Sequence, residues 1–271
     1  MEALARIDDW GAAHAAAVLV QAGGETRRHG DAEHVFRWAS ITKLLTAYAL
    51  LVALEEGAVD LDDPAGPPGS TIRHLAAHAS GLSFEGEGPP IARPAQRRIY
   101  SNPGYEALAE AIGAGAGMPF PDYLRAAVCT PLGLAGDLRG SPAADYFGPL
   151  ADLVAFAGEL LRPSLIARET LAEATSVHFP GLGGVLPGFG RWEPNDWGLG
   201  FELKDEKRPH WTGSRNSPGT FGHFGGSGTF LWVDPQLDAA LGCLSDREFG
   251  DWALEEWPRL SDAVIAELSP P

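Results

Sequence analysis

Lysine is scarce in this 271-residue chain: of its 20 basic residues only Lys43, Lys204 and Lys207 are lysine, and the other 17 are arginine. Positive charge as a whole is in short supply, because 36 acidic residues bring the formal net charge to −16. With no Lys/Arg stripe to override it, that charge repels phosphate backbones and anionic lipid, so nucleic acid and membrane surfaces are not expected partners. Cysteine is nearly absent. Cys129 and Cys243 stand far apart, in neither a metal-binding nor a C-x-x-C pattern, and read as buried, inert thiols with no disulfide between them. The longest apolar run, residues 44–54, falls short of the ~20 residues that cross a bilayer. Residues 1–11 carry acidic groups, Arg6 as their one base, and no apolar core of the kind a secretory signal needs; the expectation is a cytoplasmic protein.

Hydrophobic residues make up 45% and charged residues 21%, the balance of a folded globular chain. The length suits a substantial core in one large or two interleaved domains. Residues 15–22 are mostly apolar, Gly23-Gly24 supplies a tight turn, and 25–29 are polar before Gly30, which predicts a two-stranded hairpin. A helix is expected from Ser40 to Glu56, stopped by Gly57. Helix-period apolar residues then predict helices over 71–78, 103–112, 121–130, 149–161 and 167–177, several opening at proline or near serine. Residues 179–195, rich in Gly and Pro, read as an irregular loop. Short β-type runs follow at 197–203, 228–233 and 237–244, and a last helix places Leu260, Val264 and Leu268 on one face with Pro258 in its first turn.

Strands at both ends with helices between them predict an α/β chain of the α+β type. One antiparallel sheet is built from the two chain ends and flanked by helices, with an all-helical insert. The expected division is a discontinuous sheet domain, 1–62 and 178–271, and a helical domain, 63–177. The cleft between them is where a pocket forms and where Ser40, at a strand-to-helix junction, should point.

Ser40-Ile41-Thr42-Lys43 opens the apolar helix. Residues three apart on a helix share a face, so the Ser40 hydroxyl and the Lys43 amine lie close together. They do so at a helix N-terminus whose unpaired N–H groups favour negative charge. A serine hydrolase needs this arrangement: a hydroxyl nucleophile, a group that takes its proton, and donors for a developing oxyanion. Taken alone, S-x-x-K also fits a solvated first turn with Ser40 as its N-cap. Two more motifs follow in order. Tyr100-Ser101-Asn102 precedes the helix at Pro103, and His223-Phe224-Gly225-Gly226-Ser227-Gly228-Thr229 leads into a strand.

Together these motifs resemble the serine β-lactamase and penicillin-binding-protein superfamily, especially its class C, DD-peptidase and esterase branch. Trp38-Ala39, the stretch from Leu75 to Leu82, and Leu231-Trp232-Val233-Asp234-Pro235 support the likeness, which covers nearly the whole chain. The resemblance implies Ser40 as the acylated nucleophile, Lys43 as the amine that helps deprotonate it, and Tyr100 as second member of the proton relay. It implies substrate-binding roles for Asn102, which would bond Lys43 and a substrate amide, and for His223, Gly225 and Gly226. The N–H groups of Gly226 and Ser40 would form the oxyanion hole. Tyr100 can act as a base at neutral pH only if a neighbouring cation such as Lys43 stabilises its phenolate. His223 stands where much of the family has lysine. A group of ordinary pKa ~6.5 replaces a permanent cation there, which weakens any anchor for a penicillin carboxylate.

His74 and His78, four apart, have zinc-compatible spacing but lack a glutamate beside the first and a third ligand, so no metal or cofactor is expected. Arg93, Arg97 and Arg98 could meet an anionic substrate or form a solvated face. Trp192, Trp197, Trp211 and Phe221 are pocket-rim candidates and Phe224 could present an apolar surface to the substrate, with packing as the alternative for each. The reading is a serine hydrolase working through a Ser40 acyl-enzyme on a small ester, amide or peptide-like substrate, with weak β-lactam hydrolysis at most. The competing reading is a catalytically weak binding or regulatory protein that keeps the fold.

Overall fold

The apolar run after Ser40 has no polar face, so a helix made from it must be buried all round. That requirement organises the molecule, a computed structural model that describes residues 1–86 and 88–268. A 3-10 helix, Ala3–Trp10, precedes strands β1 (Ala15–Gln21), β2 (Thr26–Gly30) and β3 (Phe36–Arg37). Helices α1 (Thr42–Glu55), α2 (Ile72–Ala76), α3 (Asn102–Ala116), α4 (Phe120–Leu124) and α5 (Thr130–Leu132) follow. Then come β4 (Asp137–Leu138), β5 (Tyr146–Gly148), α6 (Leu150–Leu161) and α7 (Arg168–Ala174). The chain ends with β6 (Gly184–Leu186), β7 (Gly190–Trp192), β8 (Glu202–Leu203), β9 (Phe221–Gly225), β10 (Thr229–Asp234), β11 (Ala239–Ser245) and α8 (Asp251–Leu268).

The main sheet runs β2-β1-β11-β10-β9-β8, every neighbouring pair antiparallel, so the two ends of the chain meet where β1 lies on β11. Successive side chains on a strand point to opposite faces. Ala16, Val18 and Val20 of β1, with Leu231 and Val233 of β10, enter a core shared with α1, α3 and α6. Ala17 and Leu19, with Phe230 and Trp232, enter a second core beneath the 3-10 helix and α8, where Trp10, Trp211 and Trp257 pack. A sheet covered on both faces explains why its central strands read as unbroken apolar runs. Cys129 and Cys243 fall in different cores, and both thiols are free. Burial pushes their pKa values up, that of Cys129 to about 11. The helical insert also carries β4 and β5; β5 lies between β4 and β3 and pairs with both.

Several local expectations are corrected. Pro258 lies inside α8, which starts seven residues earlier, at Asp251. Leu254, whose carbonyl loses its helical donor to that proline, is on the exposed side. The segment 121–130 is helical but passes through a π turn, Arg125–Cys129. Of the strand expected at 197–203, only β8 joins the sheet. Gly200, at φ +90, crosses α1 so closely that a Cβ there would stand 2.1 Å from that of Ala47. Only glycine fits this crossing. The loop expected at 179–195 contains the hairpin β6–β7, and it forms one wall of the site.

Candidate active site

Ser40 lies in a 3-10 turn, Ala39–Ile41, that runs straight into α1; the α1 N-cap is Ile41, and no side chain caps it. The Ser40 N–H is in the first turn, where backbone donors have no partner within the helix. Ala39 just before it adopts φ +46, a left-handed conformation that costs a non-glycine residue of order 1 kcal/mol. Three contacts hold the turn in place. Thr229 Oγ1 donates to Trp38 O (2.8 Å), Ser227 Oγ to Arg37 O (2.8 Å), and the Tyr146 N–H to Thr42 Oγ1 (3.1 Å). The turn between β9 and β10 is thereby stapled to the Ser40 segment.

This staple changes the reason for Gly225. A Cβ there would meet Thr229 Oγ1 at 2.4 Å and Trp38 O at 2.7 Å, so glycine is required by the chain leading to Ser40 rather than by a ligand. Gly226 is different: the space where its Cβ would stand is open, and it faces the same cavity as Ser40.

Lys43 is wholly buried. Its Nζ donates to Asn102 Oδ1 at 2.6 Å and to Ala143 O at 2.9 Å, and lies 4.7 Å from the centre of the Tyr100 ring. Both acceptors are neutral. Burial therefore dominates and lowers the amine's pKa to about 7, with only a partial upward pull from Glu106. Asn102 reaches Lys43 because it is the first residue of α3, with Ser101 as N-cap accepting from the Gly104 N–H at 3.0 Å.

Tyr100 is buried beside them. Its Oη makes no hydrogen bond of good geometry among the described residues, yet the Ser40 hydroxyl is near enough to matter. Burial raises the phenol's pKa well above its ordinary value, and Ser40 draws it only part of the way back. Lys43 does not hold this phenol as a phenolate in the resting structure.

His223 is buried on β9 with its Nδ1 2.6 Å from Phe224 O, so Nδ1 carries the proton and donates. Nε2 has no partner among the described residues. Burial, reinforced by Lys43, lowers its pKa to about 3, and the ring is neutral at physiological pH. The weak carboxylate anchor foreseen from the His223 substitution is, in the structure, no cation at all.

Ser40 opens on a cavity of about 220 Å³, lined by Tyr100, His223 and Gly226 and walled by Phe84, Trp197 and Phe224. The turn at 186–188 of the β6–β7 hairpin and Phe249 complete it. Of the aromatic rim candidates, Trp197 and Phe224 are in the wall. Trp211 is fully buried behind Phe224, Phe221 packs against Phe201 in the other core, and Trp192 lies on the hairpin against the second core. Arg98 is buried and serves carbonyls, while Arg97 donates to Ile91 O. The two histidines weighed as zinc ligands have other duties. His74 Nδ1 closes the cap of α2 with Thr71, and His78 Nδ1 accepts from the Ser101 N–H at 3.1 Å while its ring packs on Tyr100. Sequence reasoning missed His78 as a support of the Tyr-Ser-Asn turn, although its place in the Leu75–Leu82 stretch was a signal. Nothing in the sequence pointed to the Ala143 carbonyl.

Comparison with known proteins places this geometry in context. A crystal structure described as a beta-lactamase from Mycobacterium bovis is 52% identical, covers 98% of this chain and 99% of its own, and superposes with a TM-score of 0.95. EstCE1, a hydrolase with promiscuous acyltransferase activity, shares the fold at 17% identity with a TM-score of 0.77, covering 97% of this chain and 96% of its own. Among curated proteins, the D-alanyl-D-alanine-carboxypeptidase/endopeptidase AmpH of Escherichia coli (strain K12) is 29% identical over 162 residues. That match spans 45% of this chain and 42% of the relative, so less than half of AmpH is represented. The family model for beta-lactamases matches residues 4–264, nearly the full length, and the chain belongs to the beta-lactamase family.

Proposed function

We propose that the protein is a serine hydrolase that forms an acyl-enzyme at Ser40 and acts on esters or amides. The observation that carries this reading is the hydrogen bonding of Lys43. A neutral amine has two N–H donors and one lone pair, and Nζ gives its donors to Asn102 Oδ1 and Ala143 O. The lone pair is left for the Ser40 hydroxyl, and a pKa of about 7 makes the neutral form abundant at physiological pH. In this reading Lys43 takes the Ser40 proton as Oγ attacks the carbonyl carbon. The oxyanion is met by the N–H groups of Ser40 and Gly226, donors of a kind worth about 3–4 kcal/mol each in other serine hydrolases. The proton passes from Lys43, through the protonated Tyr100 phenol, to the leaving group, and water repeats the cycle to release the acid. The cavity draws its walls from 1–62, 63–177 and 178–271, which fits a cleft between a discontinuous sheet domain and a helical one.

The neutral His223 favours uncharged esters over penicillins, whose carboxylate finds no cation on β9. Intact-mass measurement after treatment with p-nitrophenyl acetate, a fluorophosphonate and a penicillin tests the assignment. A Ser40 adduct with the first two probes that disappears in Ser40→Ala is expected. No adduct with any of the three would favour a binding protein that keeps the fold.

A further inference from the structure

A second cavity adjoins the one over Ser40. Phe84, Tyr100 and Pro187 are also one wall of this cavity, about 370 Å³, which runs outward between residues 91–99 and the β6–β7 hairpin. Seven large hydrophobic residues are exposed among the described residues, and three of them, Phe84, Ile91 and Val185, converge on this groove at 48%, 55% and 53% exposure. Such clustering marks a binding surface rather than scattered apolar residues.

The groove is held by backbone pairing. The Arg98 N–H donates to Gly183 O at 2.9 Å, and Gly184 lies so close that a Cβ there would stand 2.3 Å from Arg98 O. Beneath it the buried Arg98 guanidinium ties Ala77, Asn195 and His178 together through their carbonyls. The Asn102 N–H donates to Phe84 O at 3.0 Å, so the groove wall is fixed to the residue that holds Lys43. The two arginines at the mouth are engaged: Arg97 donates to Ile91 O and Arg191 pairs with Glu193. Their stems add apolar surface; Arg191 has a carboxylate partner, and the Arg97 charge is exposed to solvent, which screens it.

We infer that this groove binds an extended, uncharged aliphatic chain carried on the scissile ester, and so selects long-chain over short-chain esters; the inference rests on the Ser40 reading above. The chain lies on either the acyl or the alcohol side of the ester, and two substrate series distinguish these. Each buried methylene favours binding by roughly fourfold. In p-nitrophenyl esters from acetate to octanoate (acyl side), or in alkyl acetates from ethyl to octyl (alcohol side), kcat/KM should rise at least tenfold in one series. Val185→Asp or Ile91→Asp should cut the long-to-short ratio at least tenfold, with fluorophosphonate titration of Ser40 counting folded sites. Ratios that stay flat in both series, or that both variants leave unchanged, would overturn the inference. A binding measurement separates it from the hydrolase reading. Ser40→Ala titrated with octyl acetate and with ethyl octanoate, followed by tryptophan fluorescence, should bind at least one of them more tightly than ethyl acetate and lose that preference on adding Val185→Asp. If no ester acylates Ser40, the hydrolase reading fails and this titration alone decides the groove, equal affinity for all three esters refuting it.

Discussion

Two of the three buried lysines, Lys43 and Lys207, meet opposite surroundings. Lys207 Nζ lies 2.8 Å from Glu202 Oε1, and the other oxygen of that carboxylate takes His210 and the Trp211 indole, each at 2.9 Å. Burial resists ionisation of Glu202, yet His210 and Lys207 bring its pKa down to about 2. Lys43, equally buried, has only carbonyl oxygens for partners among the described residues, and its pKa falls to about 7. A charged partner within hydrogen-bond reach keeps a buried ion pair charged; without one, burial turns a lysine into a base. One lysine braces the fold and the other is equipped for chemistry, though both lie in a chain whose exposed cations are arginines.

Breaking each environment should separate the two roles. The largest effect is expected from Lys43→Met, which removes the lone pair and should slow Ser40 acylation by about 10³-fold. Thermal unfolding should register the two carbonyl acceptors left unpaired, at about 1–3 kcal/mol each. Glu202→Gln should lower stability alone. Leaving Lys207 buried without its carboxylate should cost about 3–5 kcal/mol, read as a lower denaturation midpoint, while acylation per folded molecule stays near the wild-type rate. Tyr100→Phe, which keeps the ring beside Lys43 but removes the hydroxyl, should lower ester turnover by about 10²-fold with Ser40 still labelled by fluorophosphonate. The smallest effect is expected from His223→Lys. By placing a cation on β9, it should raise the rate with a penicillin relative to a neutral ester by about tenfold.

The same contrast sets two pH windows. The folded pKa of Glu202 is depressed from 4.5 to about 2, so its stabilisation is fully present above about 4.5 and is lost as pH falls through about 2. The folded pKa of Lys43 is depressed from 10.5 to about 7. Between those values the unfolded chain binds more protons, so burying Lys43 costs most below about 7 and nothing above about 10.5. Only the Lys43 window overlaps neutral pH.

How much of this was legible beforehand depends on the range of the contacts involved. The sheet from both chain ends and the helices between follow from periodicity. Ser40, Lys43, Tyr100, Asn102, His223 and Gly226 are local in their motifs, and the structure brings all six to one place. What determines the character of the site comes from elsewhere in the chain. The Ala143 carbonyl that takes the second donor of Lys43 lies 100 residues away, with no motif to mark it. The β6–β7 hairpin was hidden in a glycine- and proline-rich segment because only three residues on each side pair. The failed strand at Trp197 was decided by how closely Gly200 crosses α1, a contact that alternation along the chain does not encode. By resemblance Tyr100 could serve as a base only if a neighbouring cation held its phenolate; its burial, visible only in three dimensions, raises its pKa instead.

In the proposed mechanism Lys43 is the base because burial without a counter-ion leaves it neutral. The most direct test is the pH dependence of Ser40 labelling by an uncharged fluorophosphonate, from pH 5 to 9, in the wild type and in Lys43→Arg. A labelling rate that climbs through a single ionisation near pH 7, and that falls about 10³-fold with loss of that ionisation in Lys43→Arg, is the predicted result. A wild-type rate that does not change across this range, or the same profile in the arginine variant, would contradict it.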